Sequence, residues 1–161
     1  MADIQFKVLS PQDIIDQLKI LKPSQQKDFD KICDDFCNTV TKLIVMAKKR
    51  ATDDTDIVEL ERLQRMLSFM PAFEKFIRCQ DKIWAAREKI RTNDAKFFLE
   101  RDYSVNIKKD QNQNMLETLI EALKTNFEIF TTAEKAIYWS KAEELLAYVI
   151  RFKKLIGDYH E

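Results

Sequence analysis

Apolar residues recur along this chain at intervals of three and four, and the places where that rhythm stops divide it into elements. Between residues 24 and 50 the apolar positions are Phe29, Ile32, Cys33, Phe36, Cys37, Val40, Leu43, Ile44 and Ala47. That spacing lays all of them on one stripe of a long helix. Its last residues, Lys48, Lys49 and Arg50, suit the negative end of the helix dipole. A shorter helix comes first. In "LSPQDI", Ser10 is placed to cap, Pro11 to take the first helical position and Leu9 to staple onto Ile14, while Pro23 ends the helix at Lys22.

After the polar turn "ATDDTD", Ile57, Leu60, Leu63, Leu67 and Met70 mark a third helix. Pro71 then either kinks one long rod or separates two; a break is preferred, with Phe73, Phe76, Ile77, Ile83, Trp84 and Ile90 carrying the next stripe. Asn93 is expected to cap a further turn through Phe97, Phe98 and Leu99. Helical spacing resumes over residues 112–130 with Leu116, Leu119, Ile120, Leu123 and Phe127. "TTAE" at 131–134 is a capping box that opens a final helix running to Ile156, and Gly157 is its expected left-handed end.

Two stretches break the helical period. Ile4, Phe6 and Val8 alternate with polar residues, which predicts a short extended N-terminal arm. Residues 101–111 alternate Tyr103, Val105 and Ile107 with polar side chains and read as an irregular, extended connection.

Composition narrows the class. The chain of 161 residues contains a single glycine, so tight positive-φ turns are scarce and a sheet fold is disfavoured. The expectation is all-α: one compact helical domain over residues 1–161, a bundle of five to six helices. Twenty-seven basic residues balance 27 acidic ones, giving no global field toward phosphate or anionic membrane. The longest unbroken apolar run, Leu43 to Ala47, is far below the roughly 20 residues of a spanning helix. The N-terminus lacks a signal-peptide pattern and the cysteines number three, so an intracellular, reducing compartment is expected.

Candidate chemistry is sparse. The one histidine, His160, sits at the chain end, which removes histidine-based triads and di-iron ligand sets. No metal or cofactor is expected. Cys33 and Cys37 share a helix face, where core packing outweighs metal binding. Cys79, beside Arg78, is expected near the surface as a candidate reactive thiol. The pairs Asp34–Asp35, Asp53–Asp54 and Glu143–Glu144 point in different directions on their backbones and make poor catalytic dyads. Arg78, Lys82, Arg87, Lys89 and Arg91 could form a basic face for nucleic acid, although Glu74, Asp81 and Glu88 are interspersed among them.

Aromatic residues carry more. Adjacent Phe97–Phe98 and Tyr138–Trp139 cannot all face one core from a single helix face. Either they mark partner surfaces, or their helices are buried on two sides. With the arm at Ile4, Phe6 and Val8 and the break at Tyr103, Val105 and Ile107, they form a set of candidate protein contacts. The stretches "FFLERDYSVNIKKDQNQNMLETLIEALK" (97–124) and "IYWSKAEELLAYV" (137–149) resemble small helical proteins of large nucleocytoplasmic DNA viruses. That resemblance implies a structural role in the virion or virus factory, bridging larger capsid proteins. The expected function is therefore a non-catalytic structural or protein-interaction role, in itself or in a larger assembly. Nucleic-acid association is the alternative, and a carboxylate enzyme a remote third.

Overall fold

A computed structural model describes residues 11–100, 115–124 and 127–159. Ile4, Phe6, Val8, Tyr103, Val105, Ile107 and His160 lie outside them, as do the Ser10 cap and the Leu9 end of the staple. The described residues form eight α-helices and no strand. They are α1 (Pro11–Lys19), α2 (Pro23–Arg50), α3 (Asp54–Phe69), α4 (Ala72–Ala85), α5 (Arg87–Arg91), α6 (Ala95–Glu100), α7 (Met115–Lys124) and α8 (Thr132–Leu155). A 3₁₀ turn, Phe127–Ile129, joins the last two. The all-α expectation holds, while the expected five to six helices become eight: the rod expected to run through Ile90 is divided at Ala86, and the turn expected after Asn93 forms a helix of its own, α6.

Each subdivision has a local cause. α1 stops at Lys19, short of the expected Lys22, because Ile20 and Leu21 bond back only three residues, to Gln17 and Leu18. Pro71 separates α3 from α4, as the preferred reading had it. The stripe expected to run through Ile90 is cut at Ala86, whose N–H is shared between the Lys82 and Ile83 carbonyls. The Arg87 guanidinium donates to the Trp84 carbonyl at 2.9 Å and lies over the Trp84 ring, holding that corner.

Asn93 does not cap α6. It takes the left-handed conformation at φ 52° and ends α5, with its own N–H on Ile90 O and that of Asp94 on Lys89 O. Asp94 is the cap, accepting from the Phe97 N–H at 3.0 Å. The helix expected over 112–130 is α-helical only over Met115–Lys124 within the described residues. The 3₁₀ turn after it, closed by Phe130 N–H on Phe127 O, lets both rings point inward, since i and i+3 eclipse in that geometry. The Thr131–Glu134 capping box forms as expected, with both bonds at 3.1 Å. Gly157, at φ 74°, ends α8 by the same left-handed device as Asn93.

The core gathers around α2, which packs against α8, α4 and α3. At its centre Phe76 is fully buried, with edge-to-face partners Phe36 at 5.2 Å and Phe152 at 5.0 Å between ring centroids. Phe29 completes the cluster at 6.1 Å. α7 leans on α3, α6 on α7, and α5 on α8. These four short or late elements surround the space described next. Among the described residues no helix is long and apolar enough to cross a membrane.

Candidate functional site

The four aromatic residues singled out by adjacency converge. Phe97 and Phe98 of α6 and Tyr138 and Trp139 of α8 all line one cavity of about 200 Å³. Ile83, Ala86 and Ile90 close one side, Leu116, Leu119, Ile120 and Leu123 of α7 another, and Phe127 and Leu145 complete the wall. Phe98 meets Trp139 at 6.0 Å and Phe97 edge-on at 5.2 Å. Lys89 Nζ lies over the Phe97 ring. Ala86, Ala95 and Ala142 each bring only a methyl group to the lining, and the large residues around them do not collapse into the space they leave.

These aromatics are not equally accessible. Phe97, Phe98 and Trp139 are half-buried and can be reached from outside through the cavity. Tyr138, offered as a partner contact, is only 7% exposed; its ring stacks on Phe130 at 5.0 Å, which makes it a core residue. Its hydroxyl is shielded from solvent and has no hydrogen-bond partner. Burial, and secondarily the Glu134 carboxylate, push its pKa up to about 12 against the opposing pull of Arg50.

One ion pair interrupts the apolar lining. Lys82 Nζ of α4 meets Glu117 Oε1 of α7 at 2.9 Å, with the Glu117 side chain only 13% exposed. Glu117 Oε2 is shielded and has no hydrogen-bond partner. Sequence reasoning placed Lys82 in a basic face and passed over Glu117 altogether. Their partnership spans 35 positions and leaves no periodic trace.

The other four members of that basic face are also engaged. Arg78 pairs with Glu74 at 2.5 Å, Arg91 with Glu88 at 2.8 Å and Lys89 with Asp94 at 3.4 Å. Arg87 is occupied by Trp84. Glu74, Glu88 and Asp94 thus neutralise Arg78, Arg91 and Lys89 locally instead of leaving them to converge.

Of the thiols, Cys33 is buried as expected, and burial pushes its pKa far up. Cys37 donates weakly to the Ala72 carbonyl and is raised by the same cause. Cys79 corrects the expectation of a surface thiol: it is 3% exposed, with burial pushing its pKa up to about 12 despite nearby Lys82. The position beside Arg78 was misleading, since consecutive helix residues face different ways. Asp53 spends its carboxylate on the Thr55 N–H as the cap of α3, and Asp34, Asp54 and Glu143 are exposed.

The surface carries a second feature that the sequence reading passed over at Phe69 and misplaced at Phe73, which was expected on the inward stripe of α4 but stands exposed on its first turn. At the corner between α3 and α4, Phe69 is 88% exposed and Phe73 46%. The signal was present, because Phe69 lies off the Leu60–Leu63–Leu67–Met70 stripe and so had to face outward. No family model, curated protein or solved structure matches this chain.

Proposed function

We propose that this is a non-catalytic protein that acts by binding other protein, as a structural or assembly subunit. The observation that carries this is the α3–α4 corner, where Phe69 stands almost fully in solvent with Phe73 beside it. A phenylalanine held there by a helix end loses apolar hydration free energy that a partner pocket would recover, and large aromatic side chains are the usual anchors of such contacts. The viral resemblance of residues 97–124 and 137–149 suggests a larger assembly, of virion or capsid type, as the setting. Nucleic-acid binding ranks lower, because Arg78, Lys82, Arg87, Lys89 and Arg91 are each engaged within the fold and the counterion-release drive is correspondingly weak.

The test has two arms. Multi-angle light scattering across a concentration series reads self-association. A photo-crosslinking residue at exposed position 68, next to the intact Phe69, is activated in the expressing cell and captures a different protein for mass spectrometry. Self-association or a single dominant crosslinked protein is expected, abolished by Phe69→Ser with an unchanged circular-dichroism melt. A monomer at every concentration, with no protein crosslinked at that position, overturns the proposal.

A further inference from the structure

We infer that the outward face of α3 docks an acidic amphipathic segment of a partner protein, in which a carboxylate that meets Arg65 lies between two apolar side chains that cover Val58 and Phe69. This rests on the reading of the Phe69 corner as a protein contact and names the chemistry of what binds there.

The face follows from the helix. Leu60, Leu63 and Leu67 turn inward on α3. At about 3.6 residues per turn, Val58, Arg62, Arg65 and Phe69 fall within about 60° of one another on the opposite side, and about 16 Å of helix separates the first from the last. Val58 is 50% exposed, Phe69 88% and the Arg62 side chain 51%. Arg65 is exposed as well. Phe73 adds a further exposed ring beyond Pro71, on the first turn of α4.

Charge decides what can cover that stripe. The acids beside it are already engaged, since Glu59 meets Arg62 at 3.5 Å and Glu61 meets Lys48 at 3.8 Å. Arg65 has no side-chain hydrogen bond, ion pair or ring contact among the described residues. In water a guanidinium needs none. A partner broad enough to bury both Val58 and Phe69 also buries what lies between them, however, and a charge taken from water without an acceptor forfeits much of what the apolar contacts return. The partner must therefore bring the acceptor, and a carboxylate matches the guanidinium fork best.

A second copy of the same face does not supply it. Turned antiparallel so that each Phe69 covers the other copy's Val58, the two stripes set Arg62 against Arg65 twice, and like charges repel. An anionic membrane fits less well than a protein segment. Glu59 and Glu61 flank the arginines, and a flat charged surface meets those acids too, whereas one carboxylate on a folded segment is aimed at one cation.

The probes are two stapled helical peptides of identical apolar sequence, with leucines eleven positions apart. One carries glutamate and the other lysine at the two intervening positions that share the leucines' face. Each is titrated into the full-length protein and followed by fluorescence anisotropy. The glutamate peptide should bind tighter by about tenfold or more, as attraction gives way to repulsion at a partly covered cation. Arg65→Leu makes the face more apolar, yet it should weaken the glutamate peptide by about tenfold and bring the two peptides within about threefold of each other. Phe69→Ser should weaken both. Both substitutions fall at exposed positions and should leave the melting temperature unchanged. Equal binding of the two peptides, binding of neither in the millimolar range, or a glutamate preference that survives Arg65→Leu overturns the acidic partner. Arg65-dependent binding to phosphatidylserine vesicles in place of either peptide also overturns it and makes the face a membrane contact. Equal peptide binding leaves the Phe69 protein contact standing, because that contact is read separately by capture at position 68.

Discussion

Tyr138→Phe separates two views of the same residue. As a partner contact on the surface, Tyr138 could lose its hydroxyl at no cost to folding. As the buried residue found here, with an oxygen that meets no donor or acceptor, it should gain from the loss. Stranding a hydroxyl away from water costs about 1–3 kcal/mol. The stack on Phe130, at 5.0 Å between centroids and 14° between planes, survives in the variant because both rings remain. Allowing for imperfect relief of the desolvation cost, the variant should be more stable by about 1 kcal/mol, a rise of roughly 2–4 °C in Tm for a chain of this size. Urea denaturation followed by circular dichroism measures it, with the slope expected unchanged and the midpoint moved up. A second readout comes from alkali. The folded protein holds the Tyr138 proton more tightly than the unfolded chain, with its pKa raised from 10 to about 12. The stability this brings is complete below pH 10 and drains away as pH climbs toward 12. The variant should lack that component of alkaline destabilisation. A loss of ~0.5 kcal/mol or more on mutation would refute the reasoning, since it would mean that the hydroxyl is satisfied, as by an enclosed water.

Two further outcomes follow from the same packing. Glu134 pairs with Arg50 and accepts from the Thr131 N–H, which together lower its pKa from 4.5 to about 2. Its contribution is therefore full above pH 4.5 and is lost as pH falls toward 2, so Glu134→Gln should flatten that limb of an acid-unfolding curve; an unchanged limb would count against the pair. For the thiols, a disulfide reagent at neutral pH should leave Cys33 and Cys79 untouched in the native protein and titrate all three in denaturant. Rapid native labelling of Cys79 would contradict its burial.

The long elements were legible because their information is local. Nine apolar positions at helical spacing specify α2 without reference to anything else, and all except half-buried Cys37 are buried. The Thr131–Glu134 box and Gly157 were equally legible, since a cap is a contract between residues a few positions apart. The helix ends that moved were decided by competition between neighbours. Asn93 and Asp94 are both capping residues, and the sequence offers no means of telling which will end α5 and which will begin α6. The structure assigns the left-handed position to Asn93, the side chain that tolerates it better, and leaves the carboxylate to the freed N–H groups of α6. Ala86 likewise interrupts a stripe that has no polar gap, because Arg87 can hold the released Trp84 carbonyl.

The cavity belongs to a different order of information. Adjacent aromatics were read as partner surfaces or as helices buried on two sides, and the structure puts Tyr138 in the core with Phe98 packed against that core, while Phe97 and Trp139, half-buried, line the cavity with them. They stand around a space instead of projecting from a surface. A void arises only when small residues on several helices face the same point, here Ala86, Ala95 and Ala142, and no periodicity within one helix encodes that coincidence. The Lys82–Glu117 pair is hidden for the same reason. An exposed phenylalanine such as Phe69 can be recognised by falling off its own stripe, a property of one helix. An internal site is defined by what four elements jointly fail to fill, so it becomes visible only once their packing is fixed.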